Sequence, residues 1–165
     1  MGVNDFLARL APFLKKLPKG YRFAVGIRNK NWLVPQFVEA LRSRGVALAL
    51  IDQAWMPRPA QWFEKFDPIT ADFTYVRWLG DRKGIEEQTK LWDKVIVDRS
   101  DDLAEWVKVL KTVHKRRIQI LAFANNHYAG HAPATLEMFR ALWNAEATRK
   151  LEASRTPAAQ STLFD

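Results

Sequence analysis

Short apolar runs alternate with segments of helical periodicity along most of this chain, and that alternation limits the fold more than any other feature. Four runs have the length and composition of strands that are buried on both faces: residues 21–27, 46–51, 73–76 and 118–124. Strands joined through helices pair in parallel, with right-handed crossovers. The sequence therefore predicts an α/β fold with one parallel sheet of about four strands flanked by helices.

The segments between these runs carry apolar residues at helical spacing. Helices are predicted at residues 3–17, 35–44, 84–97, 100–117 and 133–148, with one helical turn after Pro59. Residues 95–97 fit an extended strand equally well. Gly130 and Pro133 argue against a helix at residues 125–131.

Four strands leave two architectures open. A complete (β/α) barrel has eight strands, so the chain forms either an open flavodoxin-like sheet or one half of a TIM-barrel-like fold. This partial domain is predicted at residues 1–148. Residues 149–165 are small and polar, which is typical of a mobile C-terminal tail.

Polar side chains follow the predicted strands at their carboxyl ends, where α/β proteins bind ligands. Arg28 and Arg77 are placed to clamp a phosphate or carboxylate, or to form ion pairs with Asp52 inside a barrel mouth. Asp52 is the only carboxylate at a strand end, which makes it the candidate general base. The predicted catalytic set is thus Asp52, Arg28 and Arg77.

A second group of polar and aromatic residues forms the predicted ligand-binding set. Asn125 and Asn126 either hydrogen-bond a ligand or cap loop backbone. His127 precedes His131 by four residues, but no Glu or further ligand accompanies the pair, so no metal site is predicted. Trp32 and Trp78 either stack on a ligand or pack at the rim.

Charge and composition restrict the partners. The net charge is +8, and residues 1–50 hold nine Lys or Arg against two Asp or Glu. This balance suits a phosphorylated or nucleic-acid ligand, or only a solvated surface. There is no cysteine and no apolar run of the roughly 20 residues that cross a bilayer. We expect a cytoplasmic, bacterial-type protein without membrane association; no cofactor is assigned.

Several segments together resemble a known family. They are residues 23–32 (FAVGIRNKNW), 49–52 (ALID), 74–80 (TYVRWLG) and 122–133 (AFANNHYAGHAP). They resemble the YecE-like family, called domain of unknown function seventy-two. The resemblance implies a TIM-barrel-like fold of about 250 residues, of which this chain is the carboxyl half, strands five to eight. No biochemical activity is established for that family.

The resemblance also implies a missing N-terminal half, or a second copy of the chain, to complete the barrel. Where family members usually carry Glu, this chain has Gly26. That loss of a carboxylate weakens a catalytic interpretation.

The end of the chain contains a second resemblance. Gln160, Leu163 and Phe164 match the Gln-x-x-Leu-Phe peptide through which bacterial proteins bind the DNA sliding clamp. An apolar pair at a free chain end is the kind of anchor that fits a groove.

Three functional hypotheses follow. The first is a barrel that acts on, or binds, a phosphorylated or nucleic-acid ligand at the carboxyl ends of its strands. The second is a noncatalytic DNA-associated protein that the tail recruits to the sliding clamp. The third is a truncated fragment without independent function.

Overall fold

The predicted parallel sheet is present in the computed structural model. The structure describes residues 2–155, apart from the side chains of residues 59 and 146–155. The sheet consists of β1 (Ala24–Val25), β2 (Ala47–Gln53), β3 (Phe73–Gly80) and β4 (Gln119–Ala124), which lie side by side in sequence order. Each neighbouring pair is parallel. The predicted α/β class and strand number are confirmed.

Helices separate the strands in the order that the sequence predicts. They are α1 (Val3–Lys15), a short 3₁₀ helix (Lys30–Trp32), α2 (Pro35–Arg42), α3 (Pro59–Lys65), α4 (Arg82–Gln88), α5 (Ser100–Lys115), α6 (Asn126–Ala129) and α7 (Ala132–Arg155). Proline at the first position of α2 and α3 suits a helix start, because that position needs no N–H donor. Asp101 and Asp102 in the first turn of α5 complement the helix dipole.

The order of the strands decides between the two architectures. A flavodoxin-like sheet reverses its strand order at a switch point, which places helices on both faces. Here each strand is followed along the chain by its next neighbour on the same side of the sheet, so right-handed crossovers bring successive helices to one face. This is the arrangement of one half of a TIM-barrel-like fold.

The core lies between the sheet and these helices. Trp78 of β3 is fully buried and contacts Trp106 of α5, Tyr128 of α6 and Phe139 of α7, at centroid distances of 6.0, 6.3 and 4.9 Å. Aromatic pairs at such distances add roughly 0.5–1.5 kcal/mol each beyond the burial of their area. Trp78 therefore joins three helices to the central part of the sheet.

The opposite side of the sheet is called the open face below. It is formed by alternate residues of the strands and their flanks: Arg22, Ala24, Gly26, Arg28, Ala49, Ile51, Phe73, Tyr75, Arg77, Leu121 and Phe123. Phe123 is 49% exposed there. In a complete barrel this face would line the interior.

Several element bounds differ from those predicted. Only Ala24–Val25 of the first apolar run is a strand, because β1 is an edge strand that pairs with β2 alone. The helix predicted at residues 84–97 ends at Gln88, and the backbone N–H groups of Ile96 and Val97 donate to Ala129 O at 2.6 and 3.0 Å. The extended alternative for residues 95–97 is thus nearer the observed geometry, although no strand forms.

Two further differences concern the end of the chain. The prediction that residues 125–131 contain no helix is wrong, since the amide oxygen of Asn125 accepts from His127 N and caps the single turn α6, which Gly130 ends. Helix α7 continues past Thr148 to Arg155. No helix among the described residues is long and apolar enough to span a bilayer.

Gly80 provides a test of how the end of β3 meets α6. Its φ is +68°, and an added Cβ would lie 2.4 Å from His127 O and 2.5 Å from Tyr128 Cα, both backbone atoms. We expect Gly80→Ala to lower the free energy of unfolding by about 3 kcal/mol, from left-handed strain plus overpacking. Gly45 has a φ of +61° with no atom near an added Cβ, so Gly45→Ala should cost only about 1 kcal/mol. Urea unfolding followed by tryptophan fluorescence measures both values; equal losses would contradict the close contact at Gly80.

Candidate functional site

Three arginines line one cavity on the open face. The cavity has a volume of about 570 Å³; Arg22 and Arg28 reach it from the segments that flank β1, and Arg77 reaches it from β3. Ala49, Ile51 and Tyr75 form much of the remaining wall. We call this the arginine cavity.

No described side chain pairs with the guanidinium groups of Arg28 and Arg77. Within residues 2–155 neither group forms a hydrogen bond or an ion pair, and no Asp or Glu lines the cavity. Arg22 is held differently: it donates to Gln119 Oε1 at 2.7 Å, and its Cζ lies 4.2 Å from the centroid of the Phe73 ring. The cavity is therefore positively charged, and it holds two guanidinium groups without a partner among the described residues.

Gly26 keeps this cavity free of a carboxylate. It belongs to the lining, and an added Cβ would lie 2.9 Å from Ile51 Cδ1 and 3.4 Å from Ala49 Cβ. A Glu side chain at this position, as the family resemblance implies for other members, would start inside the lining of the same cavity. Glycine thus leaves the positive charge uncompensated.

Asp52 lies on the other side of the sheet, away from the two free arginines. Arg77 is paired in register with Ile51, whereas Asp52 is paired with Trp78, which faces the helices. Asp52 Oδ2 accepts hydrogen bonds from Trp106 Nε1 at 2.7 Å and from the Tyr128 hydroxyl at 3.0 Å. The structure does not bring Asp52 together with Arg28 and Arg77, and a role for Asp52 as general base stays a prediction.

The surroundings of Asp52 suit a structural tie, by which we mean the two hydrogen bonds from Trp106 and Tyr128 to its carboxylate. Burial raises the pKa of the Tyr128 hydroxyl far above its usual value, and the charges of Asp52 and Asp102 raise it further. Tyr128 therefore stays protonated and keeps donating to Asp52. Because Trp106 belongs to α5 and Tyr128 to α6, a single carboxylate connects both helices to β2.

Two neighbouring arginines on this side, Arg58 and Arg99, are paired with carboxylates. Arg99 contacts Asp102 at 3.0 Å and donates through Nε to Tyr128 O, while Arg58 contacts Asp102 at 2.6 Å and Glu105 at 2.7 Å. Burial alone would raise the pKa of Asp102, but hydrogen bonds from Arg58 and Arg99 hold it below its usual value. This satisfied network contrasts with the unpaired guanidinium groups of the arginine cavity.

Asn125, Asn126 and His127 bind backbone and one another in this structure. Asn125 Oδ1 accepts from His127 N at 2.9 Å, and Asn126 Oδ1 accepts from Ala132 N at 2.8 Å, at the start of α7. This is the capping alternative of the sequence prediction. Their role in binding a ligand remains a prediction.

Both ring nitrogens of His127 are occupied. Nδ1 lies 2.7 Å from Asn125 Oδ1 and Nε2 lies 3.1 Å from Glu86 Oε1, while the ring meets the edge of Trp92. Hydrogen bonds from Arg82 and from His127 lower the pKa of the Glu86 carboxyl. Among the described residues, no three His, Asp or Glu side chains are grouped as metal ligands.

Trp32 and Trp78 do not line the arginine cavity. Trp32 stacks on Phe6 of α1 with ring centroids 4.1 Å apart and planes within 11°, and Trp78 is buried against the helices. Both rings pack against other aromatic side chains in this structure, and their role in binding a ligand stays a prediction. Gln160, Leu163 and Phe164 lie outside the described residues, so the sliding-clamp hypothesis stays a prediction.

The sequence predictions missed Arg22, Tyr75 and the role of Gly26 in the cavity. The sequence contains a signal that groups these residues, because residues two apart in a strand point to the same face. Residues 22, 24, 26 and 28 therefore share one side, and so do residues 75 and 77.

A comparison with known protein families assigns the chain to a family. Residues 1–161 match the model described as protein of unknown function DUF72. The chain belongs to the DUF72 family. This confirms the predicted domain of unknown function, whereas the YecE-like name and the assignment to the carboxyl half of the barrel stay predictions. No curated protein matches the chain.

Solved DUF72 proteins share the fold. A DUF72 family protein from Enterococcus faecalis is 14% identical, with a TM-score of 0.55 over 85% of this chain and 52% of the other. A DUF72 family protein from Thermotoga maritima is 16% identical, with a TM-score of 0.52 over 88% of this chain and 64% of the other. The chain thus spans between half and two thirds of the length of these relatives. At such low identity the likeness shows the TIM-barrel-like fold alone.

Asp52 offers a direct test of the structural tie. Asp52→Ala leaves two buried donors, Trp106 Nε1 and the Tyr128 hydroxyl, without an acceptor. We expect a loss of about 2–4 kcal/mol in the free energy of unfolding. Asp52→Asn retains one acceptor oxygen and should lose about half as much. Urea unfolding measures both; an unchanged stability in Asp52→Ala would contradict the tie.

Proposed function

We propose that the arginine cavity binds a phosphorylated ligand, with Arg28 and Arg77 contacting the phosphate. One observation carries the proposal: both guanidinium groups line a single cavity, and neither has an anionic partner in the described part of the chain. Most of the other arginines near the carboxyl ends of the strands are paired, as Arg58, Arg82 and Arg99 are.

The chemistry of the guanidinium group favours phosphate. Its planar fork of N–H donors matches two phosphate oxygens, and its charge persists at every physiological pH. Arg77 is only partly exposed and Arg28 is exposed, so an anion that contacts Arg77 is partly shielded from water. Hydrogen bonds to charged groups in such places contribute roughly 1.5–3 kcal/mol each.

The proposal concerns binding and not catalysis. Among the described residues that line the cavity there is no carboxylate and no histidine, the side chains that most often act as a general base. Asp52, the predicted base, is engaged by Trp106 and Tyr128 on the helix-covered side. Small phosphorylated molecules and nucleic-acid strands both carry the phosphate group that the arginines suit.

Binding of ribose 5-phosphate to the whole chain tests this function. Isothermal titration calorimetry should detect binding by the unaltered protein. Either Arg28→Gln or Arg77→Gln should weaken it by about tenfold or more, from the loss of one charged hydrogen bond. Arg44, which is exposed at the other end of β2, supplies the matched control Arg44→Gln, and its affinity should be unchanged. Equal weakening by Arg44→Gln, or no binding at all, would refute the site.

As the alternative to a phosphorylated ligand, we propose that a different chain segment, carrying carboxylates, completes the sheet beside β1 and β4 and neutralises the arginines. The edges of both strands are open within the described residues, and the chain spans 52% of its Enterococcus faecalis relative. A second copy would place its own three arginines against the same three, and like charges inside an interface are costly.

The mass of the purified protein shows whether a second copy of the chain or a different segment completes the sheet. Light scattering should give the mass of a single chain, 19.1 kDa, because charge repulsion opposes a symmetric closed dimer. A stable dimer would contradict the requirement for a different, acidic segment.

A further inference from the structure

Two aromatic rings lie directly beside Arg77 on the open face. Phe123 of β4 is paired in register with Arg77 of β3, and Tyr75 is paired with Leu121. The ring centroids of Tyr75 and Phe123 are 5.0 Å apart, with 31° between their planes. The two rings and the guanidinium therefore belong to one continuous patch.

Phe123 is exposed in the middle of a structured region. The residue is 49% exposed, although it belongs to a strand that is paired along its whole length with β3. A single exposed Phe needs no explanation by itself. Here a second ring and an unpaired guanidinium adjoin it, and that combination is the one by which proteins hold a base next to its phosphate.

The dimensions of the patch suit a small aromatic ligand. Ile51, Arg77 and Phe123 form one row across β2, β3 and β4, which spans two strand spacings or about 10 Å. The adjoining cavity of about 570 Å³ falls within the range of small-molecule sites. A phosphate at Arg77 can therefore be joined through a sugar to a base at Phe123.

We propose that the ligand of the arginine cavity is a nucleoside phosphate, whose base stacks on Phe123 and Tyr75. This inference rests on the proposed function, since it presumes that the phosphate binds Arg28 and Arg77. The shared chemistry is a base, a sugar and a phosphate, which a free nucleotide and a single nucleic-acid strand both provide.

A comparison of AMP with ribose 5-phosphate isolates the contribution of the base. By calorimetry on the whole chain, AMP should bind at least about fivefold more tightly, which is the lower end of what one stacked base contributes. Phe123→Leu should remove that advantage and leave the affinity for ribose 5-phosphate unchanged. Phe123→Tyr, which retains a ring, should keep it.

Phe13 supplies the matched control. It is 56% exposed on α1, away from the sheet, so Phe13→Leu removes an exposed ring without touching the patch and should not alter AMP binding. An oligodeoxyadenylate serves as the second arm. If the oligodeoxyadenylate binds more than tenfold more tightly than AMP, the ligand is a nucleic-acid strand; if the two affinities are equal, the ligand is a free nucleotide. Either result supports the base platform, that is, stacking of the base on Phe123 and Tyr75, provided that Phe123→Leu weakens the binding.

The outcomes separate this inference from the function on which it rests. If ribose 5-phosphate binds in an Arg77-dependent way but AMP binds no more tightly, the base platform is refuted and the phosphate site stands. If AMP binds more tightly but equally so in Phe123→Leu, the base lies elsewhere and the platform is again refuted. If neither compound binds, both proposals fail.

Discussion

Parallel pairing in sequence order is the constraint on which the rest of this structure depends. Because each strand is followed by a right-handed crossover to its next neighbour, the helices gather on one face of the sheet. Trp78 then fills the layer between sheet and helices and contacts three of them. The other face is left to the side chains of the strands themselves, and the unpaired arginines occur there.

The two faces of the sheet also differ in their charges, which are paired on the helix side and unpaired, among the described residues, at Arg28 and Arg77 on the open face. On the helix side, Asp52 is held by Trp106 and Tyr128, and Arg58 and Arg99 share carboxylate partners. Such hydrogen-bonded and paired groups stabilise the fold. On the open face, charge without a partner remains available for binding.

The sheet was predictable from the sequence because apolar runs and helical spacing are local signals. The face of the sheet on which each strand-end residue lies was harder to predict from the sequence. Alternation within β3 relates Tyr75 to Arg77, but placing Asp52 relative to Arg77 requires the register between two strands, which helices and loops of the whole crossover determine. Asn125 and Asn126 show the same limit. The sequence allows capping or ligand binding, and the hydrogen bonds from His127 N and Ala132 N, which show the capping, depend on the folded backbone.

Gly26 has a consequence for the energetics of the whole molecule. It leaves Arg28 and Arg77 without a carboxylate among the described residues that line their cavity. Under the proposed function, an anion in this cavity binds only the folded form. Phosphate binding and resistance to unfolding would then be thermodynamically linked, so that phosphate would stabilise the protein as well as serve as its ligand.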